Sequence, residues 1–197
     1  CIRDRRLADQ FGPGALDRHQ VVPAHPHDEQ VGRLVDKLKT TYTQSGERLF
    51  DNTVIIYTSD NGAAEYRTPG HSPVASNAPF RGGKATGWDG GYRVPLLIRC
   101  PGRTEGGSID HTPVSLVDLY PTILQLANLE PKQNVDGISL VPTFHGISPR
   151  REYLFGYYPH RSGDRVPDGT PPSVWVKWNG WTPVSYTHLR AHETLRY

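Results

Sequence analysis

Asp60 and Asn61 stand side by side at the end of TVIIYTS (53–59), a continuous apolar and β-branched run, and Gly62 follows them. Such a run suits a buried strand, and in open α/β sheets ligands gather at the carboxyl ends of strands. A carboxylate and an amide carbonyl placed there offer two hard oxygen donors, the kind that Ca²⁺ or Mg²⁺ takes. The same DNG triplet also makes a good turn by itself. Further along, Gly82, Gly83, Gly87, Gly90 and Gly91 crowd around Lys84. Glycine lets backbone take positive φ and approach a ligand without a Cβ in the way. An ammonium delivered beside a divalent cation suits a tetrahedral oxyanion, because it binds the charge and stabilises the leaving oxygen. A GGK turn taken alone also makes a surface loop with a solvated lysine. The chemical reading therefore requires Asp60, Asn61 and Lys84 to converge on one anion pocket.

The elements that must position these residues alternate in type. Val31, Leu34, Val35 and Leu38 recur at helical spacing and predict a helix over 28–39. Strands are expected at 53–59 and 94–99. A second helix is expected over 116–128, with Leu119, Tyr120, Ile123, Leu124 and Ala127 as its buried stripe and Pro121 tolerated only near its start. The alternation fits an α/β layered fold. After Gly146 the texture changes to two aromatic segments, REYLFGYY and SVWVKWNGW, on either side of the Pro- and Gly-rich loop 159–172. They predict the start of a small antiparallel β subdomain.

Composition narrows the function classes. With 197 residues the chain has the length of one domain, and 36% hydrophobic content with 18 prolines marks it as loop-rich. A net charge of +2, with arginines scattered among acids, forms no basic stripe, so nucleic acid is not an expected partner. No apolar run approaches the ~20 residues that a membrane-spanning helix needs. Cys1 and Cys100 are too few to assign a redox compartment.

In their order the motifs resemble the sulfatase family, the formylglycine-dependent sulfuric ester hydrolases that share a core with alkaline phosphatase. That family shows a strand ending in DNG, a GK, an EGG, an R-x-P and a short strand ending in a W-P-G or similar. The counterparts are Asp60, Asn61 and Gly62, then Gly83 and Lys84, then Asp89, Gly90 and Gly91, then Arg93 and Pro95, then Cys100, Pro101 and Gly102. PVSLVDLYPTILQLANL (113–129) resembles the family's V-D-x-x-P-T helix and VDGISLVPTFHG (135–146) its D-G-x-S-L segment. The resemblance implies that Asp60 and Asn61 are metal ligands for Ca²⁺ or Mg²⁺ and that Lys84 contacts the sulfate group. Asp89 stands where the family more often has Glu and reads as structural. Arg93 reads as a brace for the glycine turn, through carbonyls or Asp89. YYPH (157–160) resembles a motif of bacterial sulfatases acting on sulfated carbohydrates. His160, and less directly His71, are therefore rim candidates. Tyr158 has two readings, a sugar-facing ring or part of one hydrophobic sheet face with Tyr157, Trp175 and Trp178.

The likeness covers roughly residues 27–178. Residues 1–26 are unassigned, 27–146 read as the C-terminal part of the α/β core, 147–183 as the start of the β subdomain, and 184–197 as a non-native tail. The family's nucleophile, a formylglycine made from Cys or Ser in a C-x-P-S-R motif, has no counterpart. CIRDR keeps only the Cys-to-Arg spacing, so Cys1 is declined. His25 and His27 are declined as catalytic, and His188 with His192 as a metal pair. The expectation is a portion of an alkaline phosphatase-like sandwich, inactive alone, from a sulfatase acting on a sulfated carbohydrate. Its family compartment is periplasmic or secreted. A phosphonate or phosphodiester hydrolase of the same superfamily, and a non-catalytic module binding anionic sugars, remain as alternatives.

Overall fold

The computed structural model describes residues 26–64, 75–148, 151–159, 172–177, 181–186 and 194–196, with backbone alone at 26, 27, 181–186 and 194–196. Among these lie α1 (Pro26–Thr40), β1 (Ile55–Thr58), a single helical turn α2 (Asp89–Tyr92), β2 (Leu96–Arg99), α3 (Leu119–Leu126), β3 (Leu154–Tyr158), β4 (Ser173–Lys177), β5 (Trp181–Tyr186) and β6 (Thr194–Arg196). β1 and β2 pair as a two-stranded sheet, and β3, β4, β5 and β6 form a second sheet in that order. The chain divides into two compact units, Cys1–Ile56 with Leu97–Pro149 and Tyr57–Leu96 with Arg150–Tyr197. The DNG and GGK segments thus belong to the same unit as the C-terminal strands.

In the first unit, α1 follows its charge pattern as well as its apolar spacing. Asp28 and Glu29 lie in its first turn and Lys37 and Lys39 in its last, each sign opposing the helix dipole. Thr40 Oγ1 donates to the Asp36 carbonyl at 3.0 Å and Thr41 Oγ1 to the Lys37 carbonyl at 2.7 Å, which satisfies carbonyls the helix end leaves open. Among the described residues, Val35, Phe50, Cys100, Leu140 and Val141 are this unit's buried apolar residues. The Arg99 guanidinium lies over the Phe50 ring at 3.5 Å and donates to the Phe50 carbonyl at 2.7 Å. That binds the end of β2 to the 3₁₀ turn Leu49–Asn52.

α3 is shorter than expected, because its first turn, Leu116–Asp118, is 3₁₀ and the α-helix ends at Leu126. Asn128, at φ 56, closes it in the left-handed region, and the Leu129 amide reaches back to the Leu124 carbonyl at 2.8 Å. The expected buried stripe is corrected. Tyr120 and Ile123 are each 52% exposed, whereas Asp118 and Thr122 are fully buried. The reason is a hydrogen-bonded seam rather than apolar packing. Asp118 accepts from the Ser115 and Ile138 amides, both at 2.8 Å. Thr122 Oγ1 donates to the Asp118 carbonyl at 2.6 Å and accepts from the Leu140 amide at 2.8 Å. A Cβ at Gly137 would lie 2.1 Å from the Val117 carbonyl oxygen. The V-D-x-x-P-T and D-G-x-S-L segments are therefore two sides of one closely apposed joint.

In the second unit the small sheet is antiparallel, with Tyr158 opposite Ser173, Gly156 opposite Trp175 and Leu154 opposite Lys177. Alternation along a strand puts Tyr157 and Tyr158 on opposite faces, so the reading of Tyr157, Tyr158 and Trp175 as one hydrophobic face is corrected. Phe155 and Tyr157 are 71% and 69% exposed, and Tyr158 and Trp175 share the other face. Trp178 lies outside the described residues. β5 continues through Val184 to Tyr186, and Thr194 pairs with Pro183, so part of the segment expected as a non-native tail joins the sheet.

Candidate functional site

The turn after β1 is built to receive another piece of backbone. A Cβ at Gly62 would lie 1.6 Å from the Gly90 carbonyl oxygen, and one at Gly90 would lie 2.0 Å from that of Gly82. A Cβ at Gly91 would meet the Thr86 carbonyl oxygen at 2.3 Å. No side chain fits at these positions, so main chains stack directly. The Gly62 amide donates to Gly91 at 2.9 Å and the Gly90 amide to Arg81 at 2.9 Å. Gly82 holds φ at +71, which glycine alone adopts without strain.

Lys84 enters the same arrangement through its backbone. Its amide donates to the Ala63 carbonyl at 3.0 Å, two residues past Asn61. Asn77, which sequence reasoning missed, clips the same residue: its Oδ1 accepts from the Ala63 amide at 2.8 Å and its Nδ2 donates to the Ala63 carbonyl at 2.9 Å. The Thr86 hydroxyl, buried, donates to the Gly83 carbonyl at 2.7 Å and closes the lysine's turn. Asp60 and Lys84 are exposed and Asn61 is half-buried. Backbone hydrogen bonding thus joins the segment carrying Asp60 and Asn61 to the one carrying Lys84. His71 and His160 lie outside the described residues.

Asp89 is 6% exposed at the start of α2. Its carboxylate accepts from the Tyr92 hydroxyl and from Arg93 Nη1, the latter at 3.4 Å. Arg93 also lies over the Phe80 ring at 4.3 Å, and Arg81 over the Trp88 ring at 3.9 Å. Half-buried Lys177 on β4 is also near this carboxylate. Burial lowers its pKa from the usual 10.5, Asp89 acts to raise it, and Arg93 lowers it further. Neither Lys177 nor the Tyr158 hydroxyl, which donates to the Ala85 carbonyl at 3.0 Å, carries a local sequence signal of its position.

Asp60 and Asn61 supply hard oxygens suited to Ca²⁺ or Mg²⁺. Among the described residues no group of three or more His, Cys, Asp or Glu side chains is placed to hold a metal. The donor set fits such a cation in kind.

The sulfatase family model matches residues 24–129, a little over half of the chain. The chain belongs to the sulfatase family. It is 37% identical over 118 residues to N-acetylgalactosamine-6-sulfatase of Homo sapiens, an alignment covering 59% of this chain and 21% of that protein. The crystal structure of Ps i-CgsB in complex with k-i-k-neocarrahexaose superposes with TM-score 0.67 at 30% identity, covering 83% of this chain and 33% of that one. The phosphonate monoester hydrolase of Agrobacterium radiobacter superposes with TM-score 0.56 at 26% identity, covering 81% and 30%. The fold of this sulfatase-family chain is accordingly mixed α/β and alkaline phosphatase-like, as expected from its motifs. It spans about one fifth of the length of the curated relatives it matches.

Proposed function

We propose that this chain is part of a sulfatase that hydrolyses the sulfate ester of a carbohydrate, contributing two metal oxygens and a sulfate-binding lysine. The hydrogen bond from the Lys84 amide to the Ala63 carbonyl carries the reading, because it holds the lysine's turn beside the turn bearing Asp60 and Asn61. In this role Asp60 and Asn61 are metal ligands. Lys84 binds sulfate oxygens and stabilises the oxygen that leaves as the S–O bond breaks. The bound Ca²⁺ or Mg²⁺ supplies Lewis-acid and template chemistry, neutralising the sulfate and orienting the nucleophile. Asp89 and Arg93 keep the glycine turn in shape, and His71 and His160 belong to the sugar rim.

The nucleophile is a formylglycine hydrate from a motif outside these residues. The carbohydrate substrate is supported by the neocarrahexaose complex of one structural neighbour and by the name of one relative. An exported compartment, periplasmic or secreted, fits that substrate. Among the described residues no helix is long and apolar enough to cross a membrane.

The similarity to a phosphonate monoester hydrolase favours a second reading, in which the same elements serve a phosphonate or phosphodiester. The deciding experiment takes the parent protein, including coding sequence upstream of Cys1, and compares sulfate and phosphate esters of one phenol. A sulfate preference is expected, with Lys84→Ala lowering kcat/KM by about 10²- to 10³-fold, as for loss of one donor to a developing oxyanion. A clear preference for phosphate overturns the first reading. Binding of anionic sugar with no turnover of either ester would make the chain part of a non-catalytic module.

A further inference from the structure

We infer that Tyr158 is a positioning residue for Lys84: its hydroxyl holds the backbone next to the lysine in a conformation that the local sequence disfavours. The inference rests on the reading of Lys84 as a sulfate ligand. Ala85, the residue after it, has φ 68. Among the described residues, Ala85 and Asn128 are the non-glycine residues with positive φ. Asn tolerates that region through its short polar side chain, whereas alanine has no such compensation. Within the turn, the Thr86 amide and hydroxyl both donate to the Gly83 carbonyl, at 3.1 and 2.7 Å, and an anchor from outside adds to that hold. The Tyr158 hydroxyl donates to the Ala85 carbonyl at 3.0 Å, across 73 residues of sequence.

Relaxing Ala85 to negative φ would rotate its peptide, draw its carbonyl off the tyrosine and turn Lys84 with it. The other side of Lys84 is held by its own amide on Ala63. The lysine is thus bracketed, by the metal-ligand turn on one side and by β3 on the other.

The strand that delivers the hydroxyl is itself seated on the same loop. Trp175, on the same sheet face as Tyr158, stacks on Tyr92 with ring centroids 4.1 Å apart and planes 13° apart. Gly156, between Leu154 and Tyr158, leaves room for that indole, since a Cβ there would lie 2.2 Å from the Trp175 ring. Lys177, on this face as well, is near Asp89 and Arg93. The face of the sheet therefore works as a template for the turn. Aromatic packing sets its distance, and one hydroxyl sets the peptide beside the lysine.

The test uses the 197-residue chain and follows amide hydrogen exchange at Lys84 and the φ-dependent coupling constant at Ala85 by NMR. Tyr158→Phe keeps the ring and removes the hydroxyl. It should speed exchange at Lys84 about five- to tenfold, the change that loss of one hydrogen bond produces, and move the Ala85 coupling away from its left-handed value. Adding Ala85→Gly to that variant should restore slow exchange, because glycine reaches positive φ without the tyrosine's help. Ala85→Gly alone should raise the unfolding midpoint. That measurement keeps the inference exposed if Tyr158→Phe fails to fold, because an unchanged or lower midpoint overturns it. Unaltered exchange and coupling in Tyr158→Phe overturn it as well.

Titration with inorganic sulfate separates the two readings. Tyr158→Phe should weaken sulfate binding several-fold and Lys84→Ala should abolish it. If Tyr158→Phe shifts exchange and coupling while Lys84→Ala leaves sulfate affinity unchanged, the positioning stands and the sulfate role of Lys84 falls.

Discussion

Gly62 and Gly90 are in backbone contact: any side chain at 62 would begin 1.6 Å from the carbonyl oxygen of Gly90, well inside van der Waals separation. The neighbouring amides of Gly62 and Gly90 donate to Gly91 and Arg81, so the approach is held by hydrogen bonds as well as permitted by missing side chains. Gly62→Ala should therefore destabilise the chain by roughly 3 kcal/mol or more, at the upper end of overpacking costs because the obstacle is backbone. Gly46→Ala is the control. A Cβ at Gly46 meets nothing within 4 Å, and only its φ of +83 is unfavourable, so about 1 kcal/mol is expected. Urea unfolding of the two variants compares them, and equal losses would contradict the stacking account.

Asp118 offers a second test, away from the glycine turn. It is fully buried and accepts two backbone amides, from Ser115 and Ile138. Asp118→Ala leaves both donors unpaired and should cost about 2–4 kcal/mol. Asp118→Asn keeps one accepting oxygen and should cost about half as much. Thermal unfolding of the three proteins measures the series.

On the proposed reading Asp60 and Asn61 would supply only part of a cation's coordination shell, so Ca²⁺ should bind the chain weakly, with Kd about 10⁻³ M or above. Asp60→Ala should remove what binding there is. Calorimetric titration checks both statements. Micromolar affinity in the chain would show that its other residues complete the shell.

Lys177 gives stability a pH signature. Burial lowers its folded-state pKa below the unfolded value of 10.5, with Asp89 opposing the shift and Arg93 adding to it. Between the folded and unfolded values the unfolded chain holds more protons, so stability rises with pH through that window up to 10.5. The ammonium is only half-buried, which keeps the effect under about 1 kcal/mol. The difference in urea midpoint between the parent chain and Lys177→Met, followed from neutral pH to above 10.5, should grow in the parent's favour. A flat difference would show that Lys177 stays as solvated as in the unfolded chain.

Much of the molecule was legible along the chain because the signals are short-range. An apolar run ending in Asp60 and Asn61, a cluster of glycines around Lys84 and helical spacing from Val31 to Leu38 are each written within a few residues, and the order of the motifs pointed to the family. α1, β1, β2 and the antiparallel character of the C-terminal strands follow from such local patterns. The inward face of α3 does not. Its spacing suggested Tyr120 and Ile123, but a hydrogen-bonded joint with residues 137–140 buries Asp118 and Thr122 instead. Polar pairing of that kind has no period to detect.

The sequence alone therefore determined which chemical groups are present and on which kinds of turn they sit. Only the tertiary structure decided what holds them. Asn77 clips Ala63, Tyr158 reaches Ala85 across 73 residues, and Trp175 lies on Tyr92. The physical reason is that composition and spacing constrain neighbours within a turn or a strand. A hydrogen bond or ring stack between distant segments depends on the path of all the chain between them.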